Sequence, residues 1–335
     1  MALLDWEGFD RETANLGIFS TFLGDISSDN SGAFGYGRCF YRATSQSSYA
    51  SRFNSFSNVA TAFIQCHIYF AAFQNHVQVW LMDGSSNQIG FRIGNDGKPQ
   101  IVLGNGTVLA NAANSVALNT WHFFQFRATI ANSGGTAELR LNGQTIATYA
   151  GDTQNTANAY VNGWKAEATS SGLNGRFDNI VVYSDSGNAP NTWTPETRIY
   201  EDLPNGAGAV AEWTASAGAN WQCVDEQPSN NDSDYVSAAS SPLTDVYAFP
   251  AATVPAGSVV YAVAVHATAR KDDAGTNNLD GVIRSGLINY AKGSPQSLTS
   301  NYVRYRWLWD VDPATGISWT VSGANAASAG IRRTA

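Results

Sequence analysis

The sequence predicts an all-β protein built from antiparallel sandwiches, and three observations carry that expectation. Apolar and polar residues alternate over short stretches, the spacing of strands with one buried face and one wet face. Turn pairs recur between these stretches, at Asp83-Gly84, Asp96-Gly97, Asn105-Gly106 and Asn142-Gly143. Asn, Asp and Gly accept the positive φ that tight hairpin turns demand. No segment of residues 1–187 carries a convincing 3.6-residue apolar period.

The clearest stretch runs from Trp121 to Tyr149 and predicts three consecutive antiparallel strands. In the first, Phe124, Phe126, Ala128 and Ile130 share one face, while Gln125, Arg127 and Thr129 share the other. Ser133-Gly134-Gly135 reverses the chain, and Ala137, Leu139 and Leu141 then alternate with Glu138 and Arg140. Asn142-Gly143 suits a type I′ turn into a third strand from about Thr145 to Tyr149.

The elements before it follow the same logic. Residues 3–24 hold Leu-Leu-Asp-Trp-Glu-Gly-Phe-Asp and a later apolar patch at Ile18–Leu23. Residues 25–58 interleave aromatics with Ser, Gly and Asn, with strands at Gly37–Ala43 and Tyr49–Phe53. This section reads either as a sugar-binding rim or as core and edge packing. Val59–Phe73 is long and apolar, as a central strand would be, and holds His67. A lone histidine in a buried strand is ordinarily held by a local hydrogen bond. Gln78–Met82 and Gln88–Ile93 flank the Asp83-Gly84-Ser85-Ser86 turn.

Residues 188–208 are rich in turn formers and proline and predict a semi-extended linker, with Arg198–Leu203 able to pair with a sheet edge. Residues 209–335 predict a second, smaller β-sandwich. Its expected strands are Val210–Trp213, Trp221–Val224, Asp245–Phe249, Ser258–Arg270, Gly281–Ile288, Tyr302–Asp310 and Ser318–Val321.

Composition bounds the function. In 335 residues, 44% are hydrophobic and 12% aromatic, ample for real cores, while only 14% are charged. Surface polarity must therefore come mainly from Ser, Thr, Asn and Gln, a balance common in extracellular and virion β-proteins. The net charge of −8 and the lack of Lys/Arg runs argue against nucleic acid and against anionic membranes. The opening residues Met-Ala-Leu-Leu-Asp-Trp-Glu lack the pattern of a secretory signal. The most apolar run, near Val259–Ala269, is too short for membrane insertion. Cys39, Cys66 and Cys223 have no metal-ligand spacing. They read as small buried thiols, with a Cys39–Cys66 cross-strand pair as the alternative.

Catalysis finds little support. A glycosidase on such a sandwich needs two facing carboxylates. Glu138 and Glu167 are the only glutamates between residues 13 and 190, and neither has a carboxylate two residues away. Nucleophile-elbow and phosphate-loop patterns are missing, and His67, His76, His122 and His266 lack metal-ligand spacing. The protein is read as not an enzyme.

Binding residues are more plausible. Trp80, Trp164 and Trp193 sit at strand ends or loops, where an indole can stack on a sugar ring, and Asn95 adds an amide. Asp225, Glu226, Asp232 and Asp234 form an oxygen-rich loop that reads as a Ca²⁺ site, as a solvated acidic loop, or as partners for Arg270 and Lys271. Asp83 with Asn95 and Asp96 reads as a second Ca²⁺ site on one shared rim, or simply as turn formers.

Two resemblances sharpen this. The tryptophan strand opening Asn119-Thr120-Trp121-His122, the strand ending Leu141-Asn142-Gly143 and the closing strand Phe177–Tyr183 resemble the concanavalin A-like, laminin G-like jelly-roll family over residues 1–187. That resemblance implies a jelly roll whose rim loops commonly take Ca²⁺ and sugars, and whose first strand pairs beside the last, bringing Trp6 and Phe9 near Ile180 and Val182. In the second half lie Glu212-Trp213-Thr214, Gly218-Ala219-Asn220-Trp221, Val224-Asp225-Glu226, Asp234-Tyr235-Val236, Ala269-Arg270-Lys271-Asp272-Asp273 and Asp312–Trp319. Together they resemble a module of tailed-bacteriophage structural proteins. It implies a virion location and other virion proteins as partners. The expected function is a spike, fibre or fibre-associated protein with a lectin-like domain for host-surface glycan. The alternatives are a capsid or tail decoration protein that stabilises the particle, and a glycoside hydrolase. Self-assembly, as a trimer, and docking of Arg332 and Arg333 on a partner subunit complete the expectation.

Overall fold

Alternating strands joined by Asn-Gly and Asp-Gly turns can bury their apolar faces only by stacking two sheets. The computed structural model has that architecture, and describes residues 2–9, 19–23, 25–26, 32–34, 39–41, 48–73, 77–168, 175–226, 229–251 and 254–335. Two units form, one closing at Ile199 and one running from Tyr200 to Ala335.

The strands of the first unit are β1 (Leu3–Glu7), β2 (Thr21–Leu23), β3 (Asp25–Ile26), β4 (Phe40–Tyr41), β5 (Ser48–Arg52), β6 (Thr61–Tyr69), β7 (Val77–Asp83), β8 (Ser86–Ile93), β9 (Pro99–Leu103), β10 (Val108–Asn111), β11 (Trp121–Thr129), β12 (Gly135–Leu141), β13 (Gln144–Gly151), β14 (Gly163–Ala168) and β15 (Arg176–Ser184). They make two antiparallel sheets, a jelly-roll sandwich. One sheet runs β13-β12-β11-β6-β15-β4-β3, with β1 also on β15. The other runs β10-β9-β8-β7-β14-β5-β2.

The Trp121–Tyr149 meander stands as expected. Asn142 and Gly143 have φ of 50° and 80°, the conformation of a type I′ turn. Strand β6 is central, paired with β11 on one side and β15 on the other. Strand β1 pairs with Ile180–Tyr183. The core lies between the sheets, where Phe91 stacks on Phe124 at 5.3 Å and Ile64, Ile68, Phe126 and Leu139 are fully buried. Cys39, Cys66 and Cys223 are buried thiols that form no disulfide among the described residues. Burial pushes the Cys66 thiol well above its usual range, so it stays protonated and inert. Of the expected strand Gly37–Ala43, only Phe40–Tyr41 is a described strand, and His76 lies outside the described residues.

The segment expected as a linker is not one over residues 193–199. It is a strap on the outer face of the eight-stranded sheet. Gln125 Nε2 donates to the Thr194 carbonyl at 3.0 Å, and Thr194 Oγ1 donates to Gln65 Oε1 at 2.8 Å. Trp193 packs between the Arg140 guanidinium, 3.9 Å from its ring, and Phe63. Outward-facing glutamines need partners once covered, and the strap supplies them.

The second unit has a six-stranded antiparallel sheet and a two-stranded one. The first contains β16 (Gly206–Ala211), β19 (Leu243–Ala248), β21 (Asn278–Ser285), β22 (Ile288–Ala291), β23 (Gln296–Ser297) and β25 (Ser328–Arg333); the second pairs β20 (Val263–Ala269) with β24 (Val303–Trp309). A further short pair joins β17 (Thr214–Ala215) to β18 (Val236–Ser237). Val265, Leu279, Ile283, Tyr305, Trp307, Trp309, Trp319 and Ile331 form its core.

Three expectations fail in this unit. Trp221–Val224 is no strand: residues Asn220–Cys223 form a 3-10 turn, with Gln222 Oε1 accepting from the Ala219 amide. Ser318–Val321 leads instead into the helix α1 (Val321–Ala326), capped by Thr320 accepting from the Gly323 amide. The C-terminal arginines are not a docking tail. They belong to β25, which is paired on both sides, and Arg333 donates to the Ala238 carbonyl and Asn277.

Candidate functional site

The outer face of the seven-stranded sheet carries the candidate site. Directly paired residues share a face, so register places Tyr49, Glu167, Gln78, Arg92, Gln100 and Asn111 in one row across six strands. At the usual inter-strand spacing the row is about 24 Å long. Asn111 is exposed, and Tyr49, Gln78, Arg92 and Gln100 are half-buried.

The row is internally ordered. Arg92 Nε donates to Gln100 Oε1 at 2.8 Å, and Gln100 Nε2 donates to Asn111 Oδ1 at 2.8 Å. Glu167 takes 2.8 Å contact from Trp80 Nε1 and 2.7 Å contact from Lys165 Nζ. Arg92, Gln100, Asn111 and Glu167 are thereby oriented, and Arg92 and Lys165 carry more donors than these contacts use. Such a linear array of planar polar groups suits a hydroxyl-rich chain laid across the strands.

A second row, Ser51, Lys165, Trp80, Gly90 and Val102, runs beside it. Gly90 makes room for the Trp80 indole: a Cβ there would stand 2.1 Å from the Val79 carbonyl oxygen and 2.9 Å from a Trp80 ring carbon. Trp80 packs with Met82, Val102 and Phe53, only 3% exposed. It underlies the site and fixes Glu167 rather than offering a ring to a sugar.

The other sequence candidates are scattered. Trp164 is fully buried on the inner face, its Nε1 donating to Asp5 Oδ2 at 2.9 Å, so it has no surface for a ligand. Trp193 belongs to the strap on the opposite sheet. Asn95 is exposed in the turn after β8, three residues beyond Arg92. Asp83 and Asp96 do not share a rim. They sit in turns at the two ends of β8, roughly 25 Å apart for an eight-residue strand. Consecutive hairpin turns necessarily lie at opposite ends. Asp83 Oδ2 accepts from Thr156 Oγ1 and Asn158 Nδ2, and Asp96 Oδ1 accepts from the Lys98 amide.

The acidic loop of the second unit does not converge either. Asp232 accepts from Arg270 at 3.0 Å and from the Tyr302 hydroxyl at 2.7 Å, and these partners hold its carboxyl below the usual range. Asp234 accepts from Asn230. Burial, with Asp234 and Asp225 adding to it, pushes the Glu226 carboxyl up to about 7. Among the described residues no three His, Cys, Asp or Glu side chains group as metal ligands. Asp83, Asp96, Asp232 and Asp234 are engaged by protein donors, which is the chemistry of turns and ion pairs.

Sequence reasoning missed Gln78, Arg92, Gln100, Lys165 and Asn111. The signal was present as alternation: each is an outward position between inward Val, Ile, Phe, Ala, Pro or Trp. What was not readable was the register that aligns them.

No family model matches the chain, and no curated protein matches it. Solved structures give distant likenesses. The Trypanosoma rangeli sialidase matches at 11% identity and a TM-score of 0.37, over 54% of this chain and 30% of that one. Domain 4 of AbnA, a GH43 extracellular arabinanase from Geobacillus stearothermophilus, solved with arabinotriose, matches at 14% identity and TM-score 0.39, over 55% and 92%. The binding domain of Paraclostridial Mosquitocidal Protein 1 matches at 13% and 0.36, over 54% and 48%. The match thus spans less than a third of the sialidase. Likeness at this level carries no inference about this chain's ligand. Among the described residues no helix is long and apolar enough to cross a membrane.

Proposed function

We propose that the first unit is a lectin-like domain that binds an extended glycan along the row from Tyr49 to Asn111, in a structural protein of a tailed-phage particle. The in-register row carries the glycan reading: planar donors and acceptors cross six strands on one sheet face, and Arg92, Gln100 and Asn111 are oriented by one another. The virion context is supported by the ordered segments of the second half, from Glu212-Trp213-Thr214 to Trp319. The work is binding rather than catalysis, because the carboxylate of the row, Glu167, is engaged by Trp80 and Lys165. Host-surface glycan and neighbouring virion proteins are the partners, and the chain self-associates, as a trimer.

A glycan array tests the row. Wild type should bind a defined set of oligosaccharides, and the double variant Arg92→Ala/Gln100→Ala should lose them while melting at the wild-type temperature. No glycan bound, or equal binding by the variant, would sink the proposal.

A decoration protein without host contact is the rival reading. One observation favours it: Leu287, Ile288 and Ile317 are 85%, 59% and 63% exposed, at an end of the second unit where Ser285 Oγ donates to Asp312. Gold-labelled antibody on intact particles separates the readings. Label at the tail tip or fibres supports host recognition, and label over the head supports decoration.

A further inference from the structure

The outer face of the eight-stranded sheet holds an arrangement unrelated to the row above. At the end of the sheet beyond His67, register puts Trp121, Tyr69 and Arg176 side by side on three neighbouring strands. The Trp121 and Tyr69 rings lie 5.8 Å apart at 57°, and the Arg176 guanidinium stands 5.0 Å from the Tyr69 ring centroid. All three side chains are half-buried, so each keeps part of its surface in water. Asn119, exposed and held in the left-handed region at φ 59°, accepts from the Tyr69 hydroxyl and pins that ring.

Two guanidiniums and two carboxylates meet at this end of the sheet. A second guanidinium, Arg198, stands 4.8 Å over the exposed Phe34 ring, and Phe34 packs on His67 in the next row. The acids nearby are engaged. Asp178 accepts from the Ala33 and Asn179 amides, and Glu196 is in contact with His67 Nε2 at 3.0 Å. A guanidinium held over an aromatic ring still has N–H donors, and two of them can bind a carboxylate by parallel hydrogen bonds. The two rings, tilted at 57°, offer adjoining apolar facets for the C–H surface of a sugar.

We infer that Trp121, Tyr69 and Arg176 form a second binding site, for an acidic saccharide, with the sugar ring on Trp121 and Tyr69 and its carboxylate on Arg176. This site is independent of the proposed glycan row, since the two lie on opposite outer faces of the sandwich.

The test is an array of uronic- and sialic-acid oligosaccharides with neutral counterparts, read for wild type, Arg176→Gln, Arg176→Lys, Trp121→Ala and Arg92→Ala. Wild type should bind acidic members and weaken as salt rises. Arg176→Gln and Trp121→Ala should each weaken that binding by about tenfold or more, as loss of a charged hydrogen-bond pair or a stacking platform does. Arg176→Lys should fall between, and Arg92→Ala, which removes only the row's contribution, should keep the preference for acidic over neutral members. Thermal melting certifies that each variant is folded; if Arg176→Gln does not fold, Trp121→Ala and Arg176→Lys decide. Binding to no acidic member, equal binding of neutral counterparts, or loss through Arg92→Ala with Arg176→Gln unaffected would overturn the site. A glycan row that fails on Arg92→Ala while acidic binding survives would leave this site standing.

Discussion

The two outer faces of the jelly roll start from the same material and end differently. Both present glutamine, arginine, glutamate and aromatic residues at alternate positions. On the eight-stranded sheet the strap of residues 193–199 covers the middle rows, and Gln65, Gln125 and His67 become buried at 1%, 1% and 2% exposure. On the seven-stranded sheet Arg92, Gln100 and Asn111 hydrogen-bond among themselves and stay in water. A polar side chain on a sheet is therefore not by itself a ligand contact. What lies over it decides whether its hydrogen bonds serve stability or recognition.

That contrast can be broken, and the largest effect should come from the strap face. Gln125→Ala should cost about 2–3 kcal/mol, because it removes a buried amide and leaves the Thr194 carbonyl without that donor. Denaturant unfolding reads this directly, and glycan binding by the folded fraction should be unchanged. A loss below about 0.5 kcal/mol, the range of ordinary surface substitutions, would show that the strap is not structural.

On the open face the effect should reverse. Arg92→Ala should leave stability within about 0.5 kcal/mol yet weaken glycan binding by about tenfold, about 1.4 kcal/mol. If it unfolds the protein instead, the row belongs to the scaffold.

A smaller and sharper test uses pH. Burial depresses the proton affinity of His67 below the ordinary imidazole value, against the opposing pull of Glu196. The unfolded chain then binds the proton first as pH falls, so stability drops from about pH 7 downward until the folded state protonates too. His67→Gln should flatten this part of the stability–pH curve. Glu226, in the second unit, has the opposite sign. Its carboxyl is raised to about 7, so its contribution is fully present below about pH 4.5 and is lost as pH rises through 7. Glu226→Gln should therefore remove a destabilisation seen above pH 7. Calorimetric melts across pH 4.5–8 check both, and parallel curves for variant and wild type would refute either assignment.

The smallest expected effect is that of calcium. With Asp83, Asp96 and Asp232 engaged by protein donors, chelator or millimolar Ca²⁺ should leave the melting temperature and glycan binding unchanged. A clear upward shift with Ca²⁺ would reopen the oxygen-rich loops.

The sequence carried the local rules well and the long-range ones poorly. Alternation and Asn142-Gly143 were enough for the central meander, because a two-residue turn fixes both strands and register. The pairing of β1 with β15 followed from the jelly-roll resemblance rather than from the residues themselves. The strap was not: proline and turn residues look alike whether they span water or lie on a sheet. Nor was β25, since Ser-Ala-Gly-Ile-Arg-Arg shows little alternation and its place between two strands is set by partners far off in the chain. The site suffered most. A search for tryptophans near strand ends found Trp80, which supports the row from beneath, and Trp164, which is core. The row itself exists only once six strands are in register.

The position of β25 has a consequence in time. It lies between β19 and β21, so both of those strands keep an unpaired edge until residues 328–333 have been made. At about 5–20 residues per second, the first unit has every strand it needs several seconds earlier. During that interval the second unit is an open template, with Val246, Val282 and Ile283 awaiting the strand that closes over them. Birth order along the chain thus makes one unit ready while its neighbour is at its most vulnerable to pairing with the wrong partner.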